Sequence, residues 1–123
     1  MTAHLPINVT QENLDLAMKE FAEIVGTRWA SSAKTDRESY NDAYPGDELE
    51  FVSGGFVAPE TVEEIQAIMK VANKTRVPLW PMSTGKNLAY GGAAPLVPGT
   101  IVLDLKRMNK IIEVNENLAY ALV

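Results

Sequence analysis

The chain has no cysteine and a single histidine, His4, among its 123 residues. Disulfides and thiolate metal sites are therefore excluded, and any metal site would have to be built from carboxylates. Basic residues are also scarce. Eleven Lys and Arg stand against 16 Asp and Glu, which leaves a net charge of −5. Such a chain has no positive field to hold nucleic acid or an anionic membrane surface, so neither is expected as a partner. No apolar run is long enough to cross a bilayer. The opening residues Met1-Thr2-Ala3-His4-Leu5-Pro6 lack the basic and then apolar order of a secretion signal. A cytoplasmic location is expected, with the periplasm as the alternative. No internal repeat or low-complexity stretch is visible.

A hydrophobic content of 46% suits one modest domain with its own core. Thr10 can cap a first helix, along which Leu14, Ala17, Met18, Phe21, Ile24 and Val25 recur at helical spacing until Gly26. Residues 29–50 are polar and turn-rich, with room for one short strand. Residues 1–50 thus read as a helical and loop-rich lead-in. Phe56-Val57-Ala58 reads as a strand. Thr61-Val62-Glu63-Glu64 fits a capping box that starts a second helix, with Ile65, Ile68, Met69 and Ala72 on one face. Pro78 closes that helix region, and Val77-Pro78-Leu79-Trp80-Pro81-Met82 reads as the next strand. Residues 56–82 therefore form a βαβ unit of the length a parallel crossover needs. Ile101-Val102-Leu103-Asp104-Leu105 is a third strand. Ile111-Ile112-Glu113-Val114 and Leu118-Ala119-Tyr120-Ala121-Leu122-Val123 pair as a hairpin around Asn115-Glu116-Asn117. The predicted class is α/β: a small βαβ unit followed by antiparallel strands. The sequence stops at Val123 within an apolar strand, so a segment of a longer polypeptide is expected.

The most informative stretch is Ser83-Thr84-Gly85-Lys86-Asn87-Leu88-Ala89-Tyr90-Gly91-Gly92-Ala93-Ala94-Pro95. A strand that feeds a Gly-rich loop can bring backbone N–H groups close to a polyphosphate, because glycine has no Cβ and accepts φ > 0. Many such loops are merely tight turns. This one lacks the upstream glycine and the hydroxyl after lysine of a P-loop, and it does not read as a dinucleotide GxGxxG. Loop amides alone would hold the phosphate. Tyr90 is conspicuous as a large residue with a polar tip.

Those residues carry a specific resemblance. Pro81-Met82-Ser83-Thr84-Gly85-Lys86-Asn87, Tyr90-Gly91-Gly92-Ala93-Ala94-Pro95, Val102-Leu103-Asp104-Leu105 and Met108-Asn109-Lys110-Ile111 with Glu113-Val114 resemble the covalent-flavin phenol oxidoreductases. These include vanillyl-alcohol oxidase, eugenol oxidase and the flavoprotein subunit of p-cresol methylhydroxylase. Val57-Ala58-Pro59 and the Thr61-Val62-Glu63-Glu64-Ile65-Gln66 run resemble the start of the same domain. The likeness is strong over residues 56–123 and weaker before.

The resemblance implies that residues 51–123 are the first part of a PCMH-type FAD-binding domain. It implies that Ser83, Thr84, Gly85, Lys86 and Asn87 wrap the FAD pyrophosphate, and that Gly91 and Gly92 allow close passage beside the cofactor. It gives Tyr90 a catalytic role, holding the substrate's phenolic oxygen as phenolate. The implied reaction is oxidation of a para-substituted phenol at its benzylic carbon, by hydride transfer to FAD through a quinone methide. The covalent flavin attachment, the second tyrosine and arginine of the phenolate site, and the acidic residue near flavin N5 would lie downstream of this segment. The implied partners are the remainder of the polypeptide, a phenolic substrate, a second copy as a homodimer, and cytochrome c as electron acceptor. This segment alone is expected to be inactive. Two other readings stand beside this one: a non-redox nucleotide or phosphate-binding module, and an inactive structural fragment.

The remaining candidates read as structure. His4 sits near a terminus and reads as solvated. Glu60, Glu63 and Glu64 favour a helix N-terminus rather than a metal. Lys106, Arg107 and Lys110 read as a solvated turn. Trp29, Trp80 and Tyr120 read as packing residues, and Tyr40 and Tyr44 carry no assignment.

Overall fold

The protein is described by a computed structural model for residues 5–42, 52–86 and 92–123. Helix α1 (Gln11–Val25) starts where Thr10 Oγ1 accepts the Asn13 N–H at 3.1 Å, and it ends at Gly26, whose φ is 91°. A single 3₁₀ turn (Thr27–Trp29) leads into β1 (Ala30–Ser31), and a short helix α2 (Lys34–Glu38) follows. This helix lies in the stretch that reads as loop from sequence. After β2 (Gly55–Val57), helix α3 (Val62–Thr75) is capped by Thr61 Oγ1, which accepts the Glu64 N–H at 3.2 Å. The Glu64 carboxylate reaches back one residue further than a capping box requires, to the Glu60 N–H. Arg76 closes α3 in the left-handed region at φ 58°.

Strands β3 (Leu79–Met82) and β4 (Ile101–Asp104) complete a four-stranded sheet among the described residues, in the order β1-β2-β4-β3. Strands β2, β4 and β3 are parallel, and β1 is antiparallel to β2. The expected βαβ unit is present as β2-α3-β3, but its two strands do not touch: β4 lies between them. β5 (Glu113–Asn115) and β6 (Tyr120–Leu122) form the expected antiparallel hairpin, as a separate two-stranded sheet.

The core follows from strand alternation. Ile101 and Leu103 of β4 and Val57 of β2 face a cluster with Leu14, Phe21 and Val25 of α1 and Ile68, Val71 and Ala72 of α3. Val102, Phe56 and Ala58 face the opposite side, against Trp29, Tyr40 and Met82. The buried stripe of α3 is rotated from the sequence expectation. Val71 and Thr75 are inside, whereas Met69 is exposed. The lead-in supplies α1 and β1 to this same core and sheet.

Candidate functional site

Because β2, β4 and β3 are parallel, their carboxyl ends lie together; Met82 pairs with Asp104 in register. That edge of a parallel sheet is where open α/β folds take their ligands. Two chain segments gather there, the Gly-rich loop that leaves β3 and the turn that leaves β4.

The outgoing arm of the loop, residues 83–86, turns at Gly85 (φ 67°), where a Cβ would lie 3.1 Å from Met82 Sδ and 3.2 Å from Ala93 Cβ. Ser83, Thr84 and Lys86 are exposed. The return arm is fixed by three hydrogen bonds to its backbone, from two side chains. Trp80 Nε1 donates to Ala93 O at 2.9 Å, and Asp42 Oδ1 accepts the Ala93 N–H at 2.7 Å and the Ala94 N–H at 3.2 Å. Trp80 is therefore not a plain core residue; it is half-buried and lines the cleft between the arms. That cleft has a volume of about 350 Å³ and is lined by residues 80–86 with Gly92 and Ala93. No carboxylate is among its described lining residues, and Lys86 is their one charged group.

A second cleft, of about 410 Å³, shares Met82, Ser83, Thr84 and Gly85 and continues to Tyr40, Asp42, Asp104 and Lys106. At its base the Tyr40 hydroxyl donates to Asp104 Oδ2 at 2.7 Å, Lys106 Nζ lies 3.0 Å from the same oxygen, and the Lys106 N–H donates to Asp104 Oδ1 at 2.9 Å. Tyr40 packs on Phe56 with ring centroids 5.6 Å apart. Burial and then the neighbouring Asp104 carboxylate push the Tyr40 phenol well above its usual pKa. Tyr40 therefore remains a protonated donor at any working pH.

The turn after β4 also departs from the sequence expectation of a solvated segment. Arg107 donates to Ala58 O at 2.9 Å and to Glu60 Oε2 at 2.7 Å, and its guanidinium lies 4.5 Å from the centroid of the Trp29 ring. Tyr120, expected to pack, is exposed and donates to Glu113 Oε1 at 2.7 Å.

Among the sequence-predicted site residues, Ser83, Thr84, Gly85, Lys86 and Gly92 line the first cleft together. Asn87, Tyr90 and Gly91 lie outside the described residues, as do His4 and Tyr44. Sequence reasoning missed Tyr40, Asp42 and Asp104. They meet the site across separations of 64 and 51 residues, which no local pattern encodes.

Residues 54–123 match the family described as FAD binding domain. The chain belongs to that family. The whole chain is 36% identical over 122 residues to the flavoprotein subunit of 4-cresol dehydrogenase (hydroxylating) from Pseudomonas putida, covering 98% of this chain and 23% of the relative. It superposes on the structure of p-cresol methylhydroxylase with substrate bound at a TM-score of 0.88 and 34% identity, covering 95% of this chain and 23% of that one. On 4-ethylphenol oxidase from Gulosibacter chungangensis, in an isoeugenol complex, the TM-score is 0.84 with 38% identity, and the coverage is 96% and 23%. The chain thus spans 23% of the length of each of these proteins. The first cleft fits the anionic centre of FAD: a glycine turn with no carboxylate among its described lining residues and one lysine at its edge.

Proposed function

We propose that this FAD-binding domain serves a flavin-dependent oxidoreductase that oxidises para-substituted phenols at the benzylic carbon. The observation that carries the reading is the similarity across 98% of the chain to the 4-cresol dehydrogenase flavoprotein subunit. The structures of p-cresol methylhydroxylase and 4-ethylphenol oxidase support it. Ser83, Thr84, Gly85, Lys86 and Asn87 hold the pyrophosphate through backbone amides, with Gly91 and Gly92 giving clearance. Residues 51–123 are the start of the cofactor domain and residues 1–50 its lead-in.

When bound, the flavin supplies a two-electron acceptor for the benzylic hydride. Loss of that hydride from a phenolate leaves a neutral quinone methide, to which water adds. Tyr90 is the catalytic residue of this segment: its hydroxyl donates to the phenolic oxygen and favours the ionised form. A phenol titrates near 10 in water, so a preorganised donor is needed to hold phenolate character at neutral pH. Cytochrome c as electron acceptor and a homodimer belong to the same reading; the designation of the Pseudomonas relative as a flavoprotein subunit supports assembly with a partner, without naming it.

The test is Tyr90→Phe in the full-length protein, with flavin reduction by a 4-alkylphenol followed under single-turnover conditions. One lost donor of this kind slows the step by about ten-fold or more. Wild-type reduction rates in Tyr90→Phe would remove Tyr90 from the site. Turnover of a 4-alkylphenol by the 123-residue chain with FAD, above a free-flavin control, would contradict the expectation that this segment is inactive alone.

A further inference from the structure

We propose that Asp42 is a positioning residue for the cofactor, a clasp that sets the width of the cleft between the two arms of the Gly-rich loop. The proposal rests on the FAD reading of that loop. Two features of the structure carry it. First, one carboxylate oxygen of Asp42 accepts both the Ala93 and the Ala94 N–H, so successive amides of the return arm are tied to a residue 51 positions earlier. Second, a Cβ built on Gly92 would overlap the Asp42 carboxylate, and its three nearest atoms all belong to that side chain. Gly92 is not in the left-handed region. Its lack of a side chain is required by the clasp, not by backbone conformation.

The clasp has a second anchor on its own segment. Two residues before Asp42, Tyr40 donates to the buried Asp104 at the carboxyl end of β4. The Tyr40-Asn41-Asp42 segment thus spans from the central strand to the return arm and forms a wall of the second cleft. There is also a chemical consequence. The Ala93 and Ala94 amides are committed to Asp42 and cannot serve a phosphate. That leaves residues 83–86, on the arm that carries Lys86, as the described lining that can face an anion in the cleft.

The experiment uses the full-length protein purified flavin-free, with FAD affinity measured by calorimetric titration. Asp42→Ala removes an acceptor with two charge-assisted bonds and should weaken FAD binding by about ten-fold or more. Asp42→Asn keeps an oxygen acceptor in the same place and should stay within about three-fold of wild type. Gly92→Ala should weaken FAD as Asp42→Ala does, and the double variant should be no worse than Asp42→Ala, because deleting the carboxylate frees the space. Wild-type affinity in Asp42→Ala would overturn the proposal. So would independent, additive losses from Asp42→Ala and Gly92→Ala. If Asp42→Ala does not fold, the contrast between Asp42→Asn and Gly92→Ala decides. Wild-type protein that takes up no FAD would refute the cofactor reading, and this proposal with it. Amide exchange at Ala93 and Ala94, compared between wild type and Asp42→Ala without flavin, reads the clasp by itself and tells the two failures apart.

Discussion

Tyr40 and Tyr120 each donate a 2.7 Å hydrogen bond to a carboxylate, Asp104 and Glu113 respectively, and the two bonds stand in opposite surroundings. The first closes the end of a strand whose residues Ile101, Val102, Leu103 and Asp104 are all buried. The second crosses a hairpin on which Ile111, Ile112, Val114, Leu118 and Leu122 are all exposed. Both regions are rich in β-branched and aliphatic residues, and both read as strands. The difference is what lies on their faces. β4 has parallel neighbours on each side, helices on one face and the Tyr40–Phe56 pair on the other, whereas β5 and β6, among the described residues, pair only with each other. Strand character and burial are therefore separate properties here, and the same bond length carries different energies in the two settings.

Substitutions in the two regions can break or sharpen this contrast, with stability measured by denaturant unfolding of the 123-residue chain. The largest effect is expected from Ile101→Ala, which opens a cavity in the cluster shared with α1 and α3 and should cost about 2–5 kcal/mol. A cost under about 1 kcal/mol would mean that β4 is not the centre of the core. Tyr40→Phe comes next. It leaves a buried carboxylate one donor short and should cost about 1–2 kcal/mol. Tyr120→Phe removes a bond of equal length in solvent and should change stability by less than about 0.5 kcal/mol; equal losses for the two tyrosines would erase the distinction drawn here. Thr61→Ala tests the cap of α3 and should cost about 1 kcal/mol. The smallest effect is expected from Ile112→Ala, within about 0.5 kcal/mol of wild type, since this side chain is 69% exposed.

The helices were legible because their signals are local. Thr10 and Gly26 bound α1, and Thr61 with Glu64 opens α3, each acting within four residues. The strands were legible as apolar runs, but their order was not. Nothing in residues 101–104 tells that they insert between β2 and β3, because strand order is decided by pairings between distant segments. The Gly-rich loop was visible from its composition. What holds it was not. Asp42 lies in a polar stretch that resembles any surface loop, and its partners are backbone amides, which leave no mark on sequence. Gly92 gave half of that signal, and its carboxylate neighbour appears only in three dimensions. Arg107 was misread for a similar reason: a basic residue in a turn reads as solvated until Trp29 and Glu60 are brought beneath and beside it.

The protein's two tryptophans are placed so that they would report different events optically. Trp29 is flanked by the guanidinium groups of Arg28 and Arg107, 5.2 Å and 4.5 Å from its ring centroid, beneath the turn after β4. Trp80 lies against the cleft between the arms of the loop, with its indole N–H bonded to the return arm. An isoalloxazine absorbs where indole emits. A Trp29→Phe variant would therefore leave Trp80 as the one tryptophan of these 123 residues, whose emission, excited selectively over tyrosine, dims as the cleft fills and shifts if the return arm lets go, so that loading and loosening could be followed separately in one cuvette.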